Sequence, residues 1–436
     1  MKRYHPGLRA GWVGCALLLL GFQGSEGQQA IPAVSLDEAV ARALVWSPAL
    51  AQSENGVLGA EQTRRTSLGS FVPSVNASTS TSRGSSTRFD PNLNRNVTGN
   101  SESYSMGLST NFQLFTGFRR GAELDRSNAE LGAAEARYDD QRFQVTLATK
   151  TQYFQALRQA DLLEVAQSRL QRAEESLAFT RRRAQVGTGT RSDTLRARLE
   201  VQNSRQAILV NETALRAARL GLGRQIGVEG PVAAILPEGL EPSPLPFVEE
   251  EMLRMAEDAA PSVRAARAST AAASAGVRVS RAQYMPSLGT SGSYNWNNSE
   301  ANWDSGRTGW NASLSLSYPI FNGFSREAGM ARSVNAERLA RVQEEDARLA
   351  ARVEVDNALR SLETAELAIA LAEESIVVAE EDLRVIQLRY ELGVATILEV
   401  VNSQVALDEQ LVNLVTARYD YAVARAQLEA LLGRDL

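Results

Sequence analysis

The segment Tyr390-Glu391-Leu392-Gly393-Val394-Ala395-Thr396-Ile397-Leu398-Glu399 carries the signals for the end of one helix, a tight turn and the start of the next helix. Gly393 stands where a helix commonly ends in a left-handed C-terminal cap. Thr396, followed three residues later by Glu399, is a capping box, which marks the first turn of a helix. The segment therefore predicts a helical hairpin whose turn lies at Gly393.

The helix before this turn is predicted to be very long. Its pattern runs from Arg326 to Leu392, which at 1.5 Å per residue corresponds to roughly 100 Å. From Leu362 to Tyr390 apolar residues recur in steps of three and four, as in a coiled-coil seam. A return helix follows, with apolar residues spaced by sevens. A second stripe on the long helix predicts neighbours on both sides: Leu367, Leu371, Val378, Val385 and Leu388.

The chain contains this unit twice. Gly187 and Thr190 precede Gly393 and Thr396 by the same number of residues, and the Pro-rich segment 231–246 is predicted to be a linker between the copies. Each copy is predicted to open with one helix, Ser35 to Gly69 and Phe247 to Tyr284. The predicted divisions are a first repeat 28–230 (β-hairpin 74–116, helical hairpin 118–228) and a second repeat 247–436 (β-hairpin 287–321, helical hairpin 324–434).

Strict alternation of apolar and polar residues predicts β-strands at Tyr104–Leu114 and Trp310–Ile320. Two interpretations fit this pattern. An ordinary soluble hairpin has one buried face, whereas a transmembrane strand places apolar residues toward lipid and polar residues toward a lumen. The small hydroxylated residues of the polar face suit a water-filled lumen. Polar tips are predicted at Arg88–Ser103 and Asn297–Thr308.

Composition excludes several classes of protein. The 436 residues are 44% apolar and 22% charged, with a net charge of −5 and a mean hydropathy of −0.23. No stretch is long and apolar enough for a transmembrane helix. Residues 1–27 are predicted to be a secretory signal sequence. Two interpretations fit Cys15. It is a small residue inside that signal, or it is a lipidation site, which agrees less well with the apolar residues that follow it.

Removal of the predicted signal also removes His5 and Cys15, the only histidine and the only cysteine. The remaining chain offers no Cys/His metal site, no Ser-His-Asp triad and no cysteine nucleophile. We therefore expect no enzyme activity and no cofactor. The absence of a basic excess argues against nucleic acid as a partner.

The strands also constrain the assembly. With their hairpin partners, which start at Val75 and at Leu288, these strands make four candidates, whereas the smallest membrane barrels have about eight strands. Unpaired strand edges are not tolerated in lipid. If the strands cross a membrane, several chains must share one barrel.

The segments Arg389–Asn402, Ala417–Tyr421 and Val186–Asp193 resemble the TolC-like family of outer-membrane efflux factors, and the resemblance extends over nearly the whole chain after the signal. It implies a mainly α fold with membrane β-strands, in which a homotrimer forms a 12-stranded β-barrel continued by a 12-helix periplasmic α-barrel. The implied function is passive exit of substrates from a tripartite efflux or type I secretion system. The implied partners are outer-membrane lipid, a periplasmic adaptor (membrane fusion) protein and an inner-membrane pump of the RND or ABC type. The alternative is a periplasmic adaptor or structural coiled-coil protein.

The resemblance also indicates a gate at the periplasmic tip, formed by Asp193, Tyr390, Glu399 and Asn402. The chain departs from the family here, because Ala395 replaces a basic residue and Asn402 replaces a carboxylate. Asp193 and Glu399 also fit a simpler role as helix caps, and both roles stay open.

The tip turns are candidate contacts for the adaptor. Gly187, Thr190, Gly393 and Thr396 would give the turns their shape, and Arg181, Arg182 and Arg183 would add positive charge. The alternative for these arginines is that they are solvated cations, favoured at the C-terminal end of a helix.

Overall fold

The computed structural model describes residues 31–237 and 241–436. The predicted signal sequence, residues 1–27, lies outside these ranges, and so does Cys15 with its alternative interpretation as a lipidation site. Among the helices described, we find none with an apolar stretch of sufficient length to cross a membrane.

Both halves of the chain contain the same order of elements: two helices, a β-hairpin, a 67-residue helix and a long return helix. Two further strands of two residues each, β1 and β4, pair in parallel. The elements in chain order are β1 (Ala33–Val34), α1 (Leu36–Trp46), α2 (Pro48–Gly69), β2 (Ser74–Asp90), β3 (Arg95–Phe115), α3 (Arg119–Gln185), α4 (Arg191–Gln225), β4 (Ala233–Ala234), α5 (Glu249–Ala259), α6 (Pro261–Ala282), β5 (Ser287–Asn298), β6 (Arg307–Ser317), α7 (Ser325–Glu391) and α8 (Ile397–Leu432).

A proline interrupts the opening helix of each half, so the prediction of one continuous helix is wrong in both. In the first half α1 ends at Trp46 and α2 begins at Pro48, while the Ser47 hydroxyl accepts the Leu50 amide at 3.4 Å. Pro261 occupies the same position at the start of α6. A proline suits the first position of a helix, but its ring prevents a preceding helix from continuing through it.

One antiparallel sheet contains the four long strands in the order β2-β3-β5-β6. Met106 pairs with Trp296 and Leu108 with Tyr294, which places large apolar side chains of neighbouring strands on one face. Strand alternation places serine, asparagine, glutamine and glycine on the other face. The predicted alternation is confirmed over Tyr104–Leu114 and from Trp310 to Ser317, where β6 ends three residues before the predicted Ile320.

The first hairpin is longer than the sequence predicted. Pairing of β2 with β3 continues to Asp90 and Arg95, so the polar tip expected at Arg88–Ser103 is mostly paired strand. Residues 82–103, which we call the polar ribbon, lie beyond the last pair between β3 and β5, Tyr104 with Asn298. The ribbon is polar on both faces, and its pairs are joined by contacts such as that between the Thr87 and Thr98 hydroxyls at 2.9 Å. A pattern that depends on apolar alternation cannot detect such a hairpin.

The long helices pair with their return helices, α3 with α4 and α7 with α8, and α3 also packs against α8. The four helices therefore lie in the order α4-α3-α8-α7. The bounds of α7 agree with the predicted helix Arg326–Leu392 to within one residue, and α3 is the equivalent helix of the first half. The predicted seam of α7 is buried at Leu362, Ala365, Ile369, Ala372, Leu383 and Tyr390.

The two outer helices of this row expose apolar stripes. On α7 the predicted second stripe is exposed, and Leu367 and Leu371 keep 65% and 64% of their side-chain surface accessible. On α4 the exposed apolar residues are Leu195, Leu199, Leu209, Val210 and Leu220. Neither stripe has a partner within the described part of the chain, so each is available to another subunit.

Candidate functional site at the helical tips

Both helical hairpins turn through a glycine in the left-handed region. Gly187 has a φ of 80° and Gly393 a φ of 79°. The amide after each glycine bonds back across the turn, Thr188 to the Arg183 carbonyl and Val394 to the Arg389 carbonyl, both at 2.9 Å. These are glycine C-terminal caps as the sequence predicted, and they direct each return helix antiparallel to its long helix.

Both return helices begin with a complete capping box. The Thr190 hydroxyl accepts the Asp193 amide at 3.1 Å, and Asp193 accepts the Thr190 amide at 3.2 Å. Glu399 accepts both the amide and the hydroxyl of Thr396 at 3.0 Å. The hydrogen bonds from Thr396 hold the pKa of Glu399 below its ordinary value. In this conformation the capping role predicted for both carboxylates is present.

Arg183 joins the tips of the two hairpins. Its guanidinium lies 5.0 Å from the centre of the Tyr390 ring, donates to the Tyr390 carbonyl and donates to the Thr188 carbonyl at 3.3 Å. The Phe179 ring lies 5.9 Å from the Tyr390 ring and 6.0 Å from the Arg183 guanidinium. The sequence grouped Arg183 with Arg181 and Arg182, but the structure separates them, because those two neighbours are exposed.

Tyr390 is enclosed between the two tips. It is 7% exposed, and its buried hydroxyl has no hydrogen-bond partner within the described part of the chain. Burial raises the pKa of Tyr390, the negative charge of Asp193 raises it further, and Arg183 opposes both. Thus Arg183 and Tyr390 form the contact between the hairpins, and the charge of Asp193 acts on Tyr390. Asp193 and Glu399 each bond within their own turn, and Asn402 lies exposed on α8.

A basic residue therefore contacts Tyr390 although Ala395 occupies the position where the family carries one. The basic residue is Arg183 of the other hairpin, and a comparison of positions within one motif does not reveal it. Ala395 itself packs against the apolar cluster beneath the second tip, around Ile397 and Val400.

A buried ion cluster lies higher up the helices, and the sequence does not predict it. Asp408 of α8 is 6% exposed and pairs with Arg172 and with Arg169, whose Nε lies 3.3 Å from its carboxylate. Arg169 also pairs with Glu200 of α4 at 2.6 Å. The cluster links α3, α4 and α8, and therefore both hairpins. Asp408 follows the seam residue Leu407 directly, but nothing local in the sequence indicates its partners.

The four-stranded sheet has the geometry of part of a channel wall. On its apolar face Trp310 and Leu316 are 79% and 73% exposed, which is unfavourable in water but suits lipid. Its opposite face is small and polar, with contacts such as that between the Ser291 and Ser313 hydroxyls at 2.7 Å. Both sheet edges, β2 and β6, lack a partner strand within the described chain.

The sequence profile of the family described as "Outer membrane efflux protein" matches residues 39–228 and 252–434. The chain belongs to this family. The two matched segments fall on the two halves of the fold.

Individual proteins agree with this result. Protein CyaE of Bordetella pertussis is 29% identical over 303 residues, which make up 67% of this chain and 61%, less than two thirds, of CyaE. Outer membrane efflux protein BepC of Brucella suis is 24% identical over 425 residues, 96% of this chain and 89% of BepC. The crystal structure of the outer membrane protein VceC from Vibrio cholerae has a TM-score of 0.76 at 18% identity and covers 92% of this chain and 96% of VceC, which shows a common fold.

Family membership places the chain in the outer membrane as an efflux channel protein, with its helical part in the periplasm. The resemblance to TolC-like factors is thereby confirmed. The family consists of channels rather than enzymes. Membership in it excludes the alternatives of a soluble hairpin and of a periplasmic adaptor or structural coiled coil. The roles of the tip residues stay predictions.

Proposed function

We propose that three copies of this chain form one passive exit duct, with twelve strands in the outer membrane and twelve helices in the periplasm. The observation that carries the proposal is the four-stranded sheet with one apolar face and two unpaired edges. Backbone groups at an open edge are not tolerated in lipid, and a barrel closed by several chains satisfies them.

The helices support the same arrangement. Within one chain the row α4-α3-α8-α7 ends in two helices that both carry exposed apolar stripes. If α7 of one subunit packs against α4 of the next, each contact is the same and the ring closes. The stripe of α7 and the stripe of α4 are then buried together as seams between subunits.

The duct receives its substrate at the helical tips. We propose an inner-membrane pump of the RND or ABC type as the source of energy and a periplasmic adaptor as the link to the tip. The turns at Gly187 and Gly393, shaped further by Thr190 and Thr396, are the surface proposed for the adaptor, together with the exposed Arg181 and Arg182.

The gate is proposed to lie at the same end. Arg183 and Tyr390 hold the two hairpins of one chain together, and Asp193, Glu399 and Asn402 are candidates for the constriction. Opening then requires that these contacts between hairpins are released when the pump and adaptor engage.

Subunit assembly tests the proposal directly. Leu371→Lys places a charge in the exposed stripe of α7, and we expect it to abolish the trimer in detergent while the chain keeps its helical circular dichroism. Glu380→Lys is the matched control, because Glu380 is exposed on the opposite side of the same helix. A wild-type chain recovered as a soluble periplasmic monomer contradicts the proposal.

A further inference from the structure

The polar face of the sheet carries very little charge. Within the four-stranded stretch, residues 74–81, 104–115, 287–298 and 307–317, the side chains on this face are serine, asparagine, glutamine and glycine, with a single exception. That exception is Arg307, the first residue of β6. Its Cα pairs with Asn297, and Asn297 in turn pairs with Ser105, so all three residues share the polar face.

Arg307 lies at the end of the sheet away from the helices. β6 contains 11 residues and ends at Ser317, shortly before α7 begins. At about 3.3 Å per residue, Arg307 is roughly 33 Å from that end. In the barrel of the proposed function, this position is the outer mouth of the lumen.

Nearby carboxylates do not neutralise Arg307. Glu102 lies in the polar ribbon on the side that continues the apolar face of the sheet, and it pairs with Arg83 at 3.3 Å. The loop 299–306 contains Glu300 and Asp304, but it folds over the apolar face, where the Trp303 ring packs 4.9 Å from the Trp296 ring. Among the described residues, no carboxylate lies within ion-pair distance of Arg307.

The polar ribbon extends the positive charge outward. By strand alternation Arg88 and Arg95 lie on the same face as Arg307. Asp90 shares that face, but its carboxylate accepts the amides of Asn92 at 2.9 Å and Leu93 at 3.3 Å in the turn. The face that continues the lumen is therefore cationic at its outer end.

We infer that Arg307 forms a cationic ring at the exit of the channel, which binds anionic groups of passing molecules such as carboxylates and phosphates. The inference rests on the proposed trimeric channel, since three guanidiniums meet around one lumen only in that assembly. Rings of basic side chains favour anions in pores, and no carboxylate on the polar face of the four-stranded stretch offsets this charge. The exit then favours anions, whereas a tip lined by Glu399 favours cations.

The purified chain, reconstituted in planar bilayers, tests the inference with Arg307→Ser. Serine matches the other residues of the polar face, so the strand should be preserved. We expect the reversal potential in a KCl gradient to shift toward cation preference. We also expect block by tripolyphosphate added at the exit side to weaken roughly fivefold or more, since three exposed charge-assisted contacts are lost.

Arg83→Ser is the matched control, because it removes the same charge on the side away from the lumen, three residues beyond Ser80, the β2 residue level with Arg307. It should leave the reversal potential and the block unchanged, and Arg307→Lys should retain both. If Arg307→Ser channels conduct with the reversal potential and block of the wild type, the inference is wrong while the proposed channel stands. The same holds if Arg83→Ser changes both quantities as much as Arg307→Ser does. Failure of the wild-type chain to conduct at all contradicts the proposed channel instead.

Discussion

At the scale of single residues, the contact of Arg183 with Tyr390 connects two tips that are far apart in sequence. The cation–π contact and the hydrogen bond to the carbonyl together contribute about 1–3 kcal/mol. If the tips must separate for opening, removal of this contact favours the open state. We therefore expect Arg183→Ala channels to show a higher open probability than wild type in planar bilayers.

Arg182 provides the control for this prediction. It is the neighbouring residue, carries the same charge and is exposed. Arg182→Ala should leave the open probability near that of wild type. Equal increases in both variants mean that loss of positive charge at the tip, rather than the contact with Tyr390, is responsible.

Glu399 has a role in capping and a proposed role in the pore, and pH separates the two. Its pKa lies below the ordinary value of 4.5 because it accepts hydrogen bonds from Thr396. The carboxylate is thus charged above pH 4.5 and loses its charge as the pH falls through the lowered pKa. We expect the cation preference of the wild-type channel to decline only below pH 4.5, and that of Glu399→Gln to be reduced and independent of pH.

Thr396→Ala tests the other role, because it removes the hydroxyl of the cap but keeps the carboxylate. This variant should retain cation preference at neutral pH. Loss of an N-terminal cap costs about 1 kcal/mol, which should appear as a lower thermal midpoint. A pH profile of ion preference that is flat in the wild type leaves capping as the role of Glu399.

At the scale of elements, the ion cluster around Asp408 holds the two hairpins together above the tip. Asp408→Ala leaves the partly exposed Arg172 without its carboxylate partner. The expected loss is about 2–4 kcal/mol, somewhat less than for fully buried pairs because both arginines are partly exposed. Thermal unfolding followed by circular dichroism measures this loss.

The pair Arg418–Glu373 gives the comparison, with an oxygen–nitrogen distance of 3.1 Å and both side chains about half exposed. Glu373→Ala should cost about 0–1 kcal/mol, since solvent screens an exposed pair. Similar losses in the two variants would show that burial of Asp408 has little energetic weight.

Elements marked by local signals were predicted closely. The long helices follow from apolar spacing, and the turns at Gly187 and Gly393 follow from a glycine before a capping box. Features that depend on distant partners were not predictable. Arg183 differs from Arg182 only through Tyr390 of the other hairpin, and Asp408 differs from other acidic residues only through α3.

The errors in the elements also have physical causes. The opening helices break because Pro48 and Pro261 begin new helices, although the apolar pattern on either side is helical. The polar ribbon is held by backbone pairing and contacts between hydroxyl groups, which leave no apolar alternation in the sequence. The period of apolar residues and the capping residues therefore predict where helices and strands lie better than they predict where neighbouring elements join.

At the scale of the whole molecule, the four-stranded part of the sheet carries assembly, and the polar ribbon does not. Replacing residues 85–100 with Asn-Gly, a favoured two-residue hairpin turn, removes only strand pairs beyond the last contact of β3 with β5. We expect this variant to reach the outer membrane and to form trimers in detergent, because every apolar residue facing lipid in the four-stranded part remains.

The matched control replaces residues 295–309 with the same turn, which removes Trp296 and Trp303 and shortens β5 and β6. That control should fail to assemble, since the outer aromatic residues and several strand pairs are lost. Loss of trimers in both variants would show that the ribbon itself is required for closure of the barrel.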